Sequence, residues 1–431
     1  GIIGDGQLLP SSVDSIIDVD SSISSSSLDS VNTVSSSSSS SSTTISTTST
    51  EVTATGSGTA AKVKRVASQI GQSISQQTEK MSHAVGRLKQ SAVSVTDNGR
   101  RAEYMHQMRE ILDTSVRRPL SRSAPCRFAT PGRKYRIISL DGGGIRCVAH
   151  AVIIRRICER FPSFLEDTQM FCACSGATAV IATLQAGWSP EACEKFMTLS
   201  AESTLRKAQG NGLTKVRYTF KWMKLMLDLL FGDLRLKDLP RHTLINSYLM
   251  DNGHSDESQR SGEVRLFTNA LPDSGDERVV DVLLRSSSAP TFFRAYQGYL
   301  DGGVYCNNPA SCAVPMVIGR PPQGLGVALD DVVCLSLGTG YAHHRYVEDP
   351  KVIDGGLVQW GSKLFDVFMT AQQQYADGIV ESMLGDHLFR FMPQIPPIRM
   401  DEVKSIDIVR KFAETVNLDS LFDWIAHNWA P

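Results

Sequence analysis

An α/β sandwich with a largely parallel central sheet is the fold class this sequence predicts. Three observations point to it. Short β-branched and apolar runs at 136–140, 170–174, 264–268 and 332–337 are separated by longer stretches of helical periodicity. Strands that alternate with helices imply crossover units on a parallel sheet. The first two strands also run directly into turns of small residues that open helices.

The elements follow in order. The run 136–140 (RIISL) is a strand that ends in Asp141-Gly142-Gly143-Gly144. A helix over 145–161 carries Val148, Val152, Ile153 and Ile157 on one face. The strand at 170–174 leads through Ser175 into a helix over 176–186. Ser189-Pro190 sets an N-cap side chain before a proline at the first helical position, which opens another helix. The segment 214–231 mixes Tyr218, Phe220, Trp222, Met223 and Leu225 with Lys215, Arg217, Lys221 and Lys224. It fits an interfacial lid or, the preferred reading, an amphipathic core helix with snorkelling lysines. Strands at 264–268 and 332–337 follow, and 356–431 reads as mostly helical.

The chain divides into four parts. Residues 1–61 are rich in Ser and Thr, with an unbroken serine run at 35–42, acids at Asp5, Asp14, Asp18, Asp20, Asp29 and Glu51, and no Lys or Arg. Such a segment buries too little apolar surface to offset chain entropy, so a disordered acidic tail is expected. Within 62–133 the charge sign flips. Lys62, Lys64, Arg65, Lys80, Arg87 and Lys89 face only Glu79 up to residue 90, with Val63, Val66, Ile70, Ile74, Met81, Val85 and Leu88 at helical spacing. A basic amphipathic segment of this kind can lie on an anionic membrane surface. Its remainder, 95–133, reads as a connector. The globular domain spans 134–345, and a helical C-terminal part, 346–431, packs on it.

Composition excludes several function classes. At 431 residues, 41% hydrophobic and 21% charged, the chain can bury a sizeable core. No apolar run approaches the roughly 18 residues of a membrane span. A formal net charge of -1 gives no nucleic-acid signature. Nine cysteines, most within apolar runs, read as buried reduced thiols in a reducing, cytoplasmic compartment. Cys172 and Cys174 form a CxC without partners at zinc spacing, so no metal or cofactor is expected.

Two turns carry chemistry. Three glycines at a helix N-terminus expose consecutive backbone N–H groups, which can hold a phosphate or an oxyanion. Gly142, Gly143 and Gly144 are not followed by the Lys-Ser/Thr of a nucleotide loop. In Ala173-Cys174-Ser175-Gly176-Ala177 a serine stands between strand and helix with small residues two before and two after, the outline of a nucleophile elbow. Further on, Asp301-Gly302-Gly303 puts an acid on a tight turn ahead of Asn307-Asn308-Pro309, which read as caps. A buried Asp beside a Ser can serve as its base without a histidine. His150 reads as a core or surface residue and His343-His344 as loop residues.

Taken together these residues resemble the patatin-like phospholipase family of lipid acyl hydrolases. Asp141-Gly142-Gly143-Gly144-Ile145-Arg146 is similar to the family's DGGGxR element, Ser175 falls at the nucleophile of its GxSxG, and Asp301 at the Asp of its DG[GA] motif. Leu284-Arg285-Ser286-Ser287-Ser288-Ala289-Pro290-Thr291-Phe292-Phe293 and Leu335-Ser336-Leu337-Gly338-Thr339-Gly340 resemble the segments flanking that Asp. The resemblance covers about 135–345 and more faintly runs to about 420. It implies a three-layer α/β/α domain that hydrolyses fatty-acyl esters through a Ser175/Asp301 dyad without calcium. The glycine loop would be the oxyanion hole, Gly302 and Gly303 would shape the acid's turn, and Arg146 would steady the glycine loop, meet a phosphate or, equally, form a plain salt bridge. It also implies a phospholipid or related lipid substrate and peripheral contact with membranes. Ala173 and Ala177 replace the two elbow glycines, and Cys147 stands where Gly often follows the Arg. Two alternatives stay open: a Ser-His-Asp hydrolase using His343 or His344, and a weak or inactive lipid-binding relative.

Overall fold

The structure, a computed structural model, describes residues 98–114, 120, 133–206, 208–272, 274–341 and 354–429. All lie in one compact unit within 67–431. The tail 1–61, most of 62–133, and His343 and His344 fall outside the described residues.

Strand β1 (Tyr135–Leu140) is buried at every position, as a strand covered on both faces must be. It pairs in parallel with β2 (Met170–Ala173) on one side and with β6 (Val332–Leu337) on the other. β2 continues in parallel to β3 (His242–Leu249), and β6 to β7 (Leu388–Phe391). β4 (Glu263–Thr268) closes the far side of β3 antiparallel, giving the order β4-β3-β2-β1-β6-β7. The seventh strand, β5 (Tyr299–Asp301), also pairs with β3. β2 takes the first half of β3 and β5 the last three residues, so the two lie end to end along one edge.

Successive side chains leave a strand on opposite faces, and that period sorts the core into two layers. Ile138 and Leu140 of β1 face a layer built by α2 (Val148–Arg160), α3 (Ala177–Gln185), α4 (Pro190–Leu205), α5 (Lys221–Phe231), α6 (Val279–Ser286), α9 (Ile406–Thr415) and α10 (Asp419–Asn428). Tyr135 and Ile137 face α7 (Ala310–Ile318) and the C-terminal end of α8 (Leu357–Leu384). The result is the expected three-layer sandwich. No helix among the described residues is long and apolar enough to cross a membrane.

Several local readings hold closely. β6 has its expected bounds, and the Ser189 hydroxyl accepts a hydrogen bond from the Ala192 N–H with Pro190 at the first helical position. Others differ. The stretch read as a connector contains a helix, α1 (Asn98–Thr114), which buries Tyr104, Met108 and Ile111 in the main core. Those positions stand at i, i+4 and i+7, a helical stripe masked by the charges around it. The C-terminal part is not purely helical either: β7 adds a parallel edge strand to the sheet. Four half-buried residues between two helices carry too short a pattern to read as a strand.

Candidate active site

The nucleophile arm is built first. β2 ends at Ala173, and the chain reverses through Ser175 at φ 54° before α3 begins. A non-glycine residue in this region costs on the order of 1–3 kcal/mol and persists only where its surroundings enforce it. Here the Ser175 N–H donates to Ser286 Oγ at 3.0 Å, tying the turn to the end of α6. Neither Ala173 nor Ala177 has a positive φ, and both are fully buried. The elbow's strain therefore falls on the serine alone, and the two alanine methyls sit where the backbone is ordinary.

The acid arm meets it through sheet register. Asp301 ends β5 opposite Ser247, while Ala173 ends β2 opposite Ile245, on the same edge of β3. The acid thus stands just beyond the end of the nucleophile's strand. Ser175 Oγ donates to Asp301 Oδ2 at 2.6 Å. Asp301 Oδ1 accepts from the Gly303 N–H at 2.8 Å and from the Cys174 thiol at 3.7 Å. The carboxyl is only 4% exposed. Burial pushes its pKa up to about 6, against the pull of the hydrogen bonds from Ser175, Gly303 and Cys174. A carboxylate with a pKa near the working pH can take a proton and return it.

The glycine loop lies against this pair. A Cβ on Gly142 would fall 2.5 Å from Asn307 Oδ1 and 3.0 Å from Ser175 Cβ, so only glycine lets the loop approach Ser175. Gly144 has φ 58°, and a Cβ there would meet the Met400 carbonyl at 2.3 Å. The three amides differ in what they have left to give. The Gly142 N–H donates to the Asn307 carbonyl at 3.3 Å, and its own carbonyl accepts from Asn307 Nδ2 and Thr339 Oγ1. Among the described residues the Gly143 and Gly144 N–H groups donate to no backbone carbonyl. The Gly143 N–H faces only the buried Cys147 thiol, a weak acceptor. The Gly142 N–H is thus already engaged within the loop, which leaves those of Gly143 and Gly144 the better placed to donate to a ligand.

What steadies the loop was not legible. Asp141, fully buried at its base, receives both Arg390 nitrogens, Nη1 at 3.0 Å and Nη2 at 2.6 Å, and Gln373 Nε2 at 2.9 Å. Burial draws its carboxyl up to about 6 while Arg390 pulls it down. Arg390 also bridges to Asp377 at 3.1 Å. Gln372, next to Gln373 on α8, donates to the Gly303 carbonyl at 2.6 Å and accepts from the Asn307 N–H at 3.1 Å. One helix thus holds both the glycine-loop turn and the Asp301 turn. The Arg146 side chain, expected to steady the loop, makes no hydrogen bond or ion pair to it, and its Nε is buried without a partner among the described residues. That task belongs to Arg390. Its sequence signal was one arginine inside LFRF, some 250 residues from its partner. Asn307 and Asn308 do more than cap: Asn308 Oδ1 accepts from Ser139 and Ser336 as well as from the Ala310 N–H. His150 is a core histidine whose pKa burial lowers to about 3.

An apolar cleft of about 830 Å³, mouth included, opens from Ser175 and Gly144. Met197, Ala201, Met223, Leu227, Leu283 and Phe293 line it. Met223 and Leu227 come from α5, which also buries Met226, Leu230 and Phe231. Only the C-terminal part of the segment 214–231 is the amphipathic helix preferred above: α5 spans Lys221–Phe231, with one face in the cleft wall, while 214–220 is irregular chain ahead of it. Asp401 stands at the cleft's rim and accepts from Arg217 at 2.7 Å, the Tyr218 hydroxyl at 3.0 Å and Arg399 at 3.1 Å.

The chain is similar to several known proteins. Residues 138–314, which hold the glycine loop, Ser175 and Asp301, match the family described as Patatin-like phospholipase. Teg of Priestia megaterium is 28% identical over 326 residues, 69% of this chain and 99% of its own. CotR of Bacillus subtilis is 28% identical over 325 residues, 69% of this chain and 98% of its own. A cGAMP-activated phospholipase of Pseudomonas aeruginosa is 28% identical over 138 residues, 31% of this chain and 40% of its own.

Proposed function

We propose that this chain, which carries a patatin-like phospholipase domain, is a lipid acyl hydrolase of the phospholipase A type, with Ser175 as nucleophile and Asp301 as base. The observation that carries the reading is the 2.6 Å hydrogen bond from Ser175 Oγ to Asp301 Oδ2 at the end of an apolar cleft. Asp301 takes the hydroxyl proton as Oγ attacks the ester carbonyl, and the acyl chain lies in the cleft. The tetrahedral oxygen accepts from the Gly143 and Gly144 N–H groups, donors typically worth about 2.7–4 kcal/mol each. Asp301 then protonates the leaving alcohol, and the acyl-enzyme is hydrolysed by a water that Asp301 activates in turn. No step calls for calcium, so excess chelator leaves the rate unchanged. The enzyme works at a membrane surface, and the basic segment within 62–133 helps to bring it there.

Turnover of an acyl-labelled phospholipid by the full chain and by Ser175→Ala tests the reading. The variant folds, since it removes one hydroxyl, and releases no fatty acid. A variant with the wild-type rate would overturn the assignment.

A further inference from the structure

Cys306 and Cys312 stand beside the catalytic turn, and the mechanism uses neither. Their sulfurs lie 3.5 Å apart. Cys306 Sγ is also 3.2 Å from Ser311 Oγ and 3.1 Å from the Asn308 carbonyl. Ser311 and Cys312 belong to the first turn of α7, the helix end that carries partial positive charge. The Cys306 thiol is held below its ordinary pKa, chiefly by the hydrogen bond from Cys312, although burial opposes this. Cys312, half-buried, is pushed the other way. Cys158 is also half-buried, but burial lifts its pKa to about 12. Thiolate character and access decide which cysteine reacts; Cys306 is 6% exposed beside the half-buried Cys312, and among the described residues this pair alone combines a favoured thiolate with a second thiol in contact.

We propose that Cys306 and Cys312 form an oxidation site for hydroperoxides, and that the disulfide closing between them slows the enzyme. The Cys306 thiolate attacks the outer peroxide oxygen. The O–O bond breaks, the departing alkoxide takes a proton and leaves as an alcohol (water, from hydrogen peroxide), and Cys306 becomes a sulfenic acid. Cys312 sulfur attacks that sulfur, and the hydroxyl leaves with the Cys312 proton as water. Two thiols lose two electrons and one peroxide gains them.

Closure must bring the sulfurs from 3.5 Å to about 2.05 Å. Cys306 then gives up its contacts with Ser311 and Asn308. Its neighbour Asn307 is the residue that grips both the carbonyl and the N–H of Gly142, so the shift reaches the glycine loop. The slowing rests on the hydrolase reading; formation of the disulfide does not.

The test treats the reduced 431-residue chain with hydrogen peroxide, alkylates the remaining thiols and weighs the peptide that contains both cysteines. The two thiols should escape alkylation together, in a peptide two hydrogens lighter, before Cys158 is touched, and dithiothreitol should restore them. In Cys312→Ser no disulfide forms, and dimedone labels Cys306 as its sulfenic acid. Phospholipid hydrolysis should fall about tenfold or more in step with the disulfide and recover on reduction, because displacements near 1 Å can cost about 10²-fold in rate. Both thiols still alkylatable after Cys158 has been oxidised would overturn the site. A disulfide that leaves the rate unchanged would overturn the switch. A reduced enzyme without activity would count against the hydrolase reading alone, because the peptide mass still decides the site.

Discussion

Asp301 sits opposite Ser247 in the β3–β5 ladder, two positions past the point where Ile245 of the same strand meets Ala173. Asp301 and the end of the Ser175 strand are thus set by strand register and not by the reach of loops. A one-residue slip of β5 would turn the carboxyl to the other face of the sheet. The sheet thus fixes where the pair meets, and Asp301 is the only acid that the described residues place on the Ser175 hydroxyl.

Asp301→Asn should keep the fold and lose about 10²–10⁴-fold in initial rate, the usual worth of general-base help. His343→Ala and His344→Ala should stay near wild type. Initial rates on one phospholipid decide it. A dead histidine variant beside an active Asp301→Asn would replace the dyad with a triad.

The same carboxyl links activity and stability to pH in opposite directions. It must be ionised to accept a proton, so kcat/KM should fall as pH drops through about 6, the value to which burial raises it. The native state holds this proton more tightly than the unfolded chain. Its contribution to stability is therefore present in full below about 3.8 and lost as pH rises through about 6. Relieving that buried charge, Asp301→Asn should raise stability at pH 8 by about 1–3 kcal/mol, since a tenfold change in proton affinity corresponds to about 1.4 kcal/mol, and give no gain at pH 4. Urea melts at the two pH values check it, and a variant less stable at pH 8 contradicts it.

How much of this was readable depends on how local each signal is. The glycine loop, Ser175 and the Asp301 turn announce themselves because tight turns demand particular residues within a few positions. β1 and β6 were legible because strands buried on both faces are almost wholly apolar. β5 was not, since three residues with one charge look like loop. Arg390 and Gln373 were invisible for a different reason. Their role is set by the pairing of β7 with β6 and by the course of α8, and neither leaves a mark near Asp141 in the sequence. Whether Ala173 and Ala177 can stand where glycines are usual is a question about backbone angles, which residue types alone do not answer; only Ser175 of this turn has a positive φ.

Removing Arg390 should be far more harmful than its distance in sequence from the glycine loop suggests. Arg390→Met takes the ion-pair partner from the buried Asp141 carboxyl, whose pKa burial already raises to about 6, and leaves it only the Gln373 hydrogen bond; breaking one side of a buried pair typically costs about 3–5 kcal/mol. Asp141→Asn in the same chain should recover much of that loss, because the stranded charge is then gone. A thermal or denaturant double-mutant cycle measures the coupling. Additive losses would mean that the bidentate pair contributes nothing as a pair.

The cleft should set acyl-chain length, and two opposed substitutions in its wall can show it. Ala201 and Leu227 both line the space that opens from Ser175. Ala201→Leu adds three carbons to the wall and should shorten the longest chain accepted, leaving short-chain esters near their wild-type rate. Leu227→Ala removes three carbons and should shift the optimum toward longer or bulkier chains. Each methylene buried is worth about 0.8 kcal/mol, or roughly fourfold in kcat/KM. A chain left in water by Ala201→Leu should therefore lose about that factor per methylene beyond the block. Leu227→Ala will also cost stability, on the order of 2–5 kcal/mol for a buried leucine, so rates should be taken well below its melting temperature. The profile of kcat/KM against chain length, run for the three proteins on one series of esters, is the measurement. Parallel profiles would mean that the acyl chain lies elsewhere, and that this apolar space is packing slack behind the nucleophile.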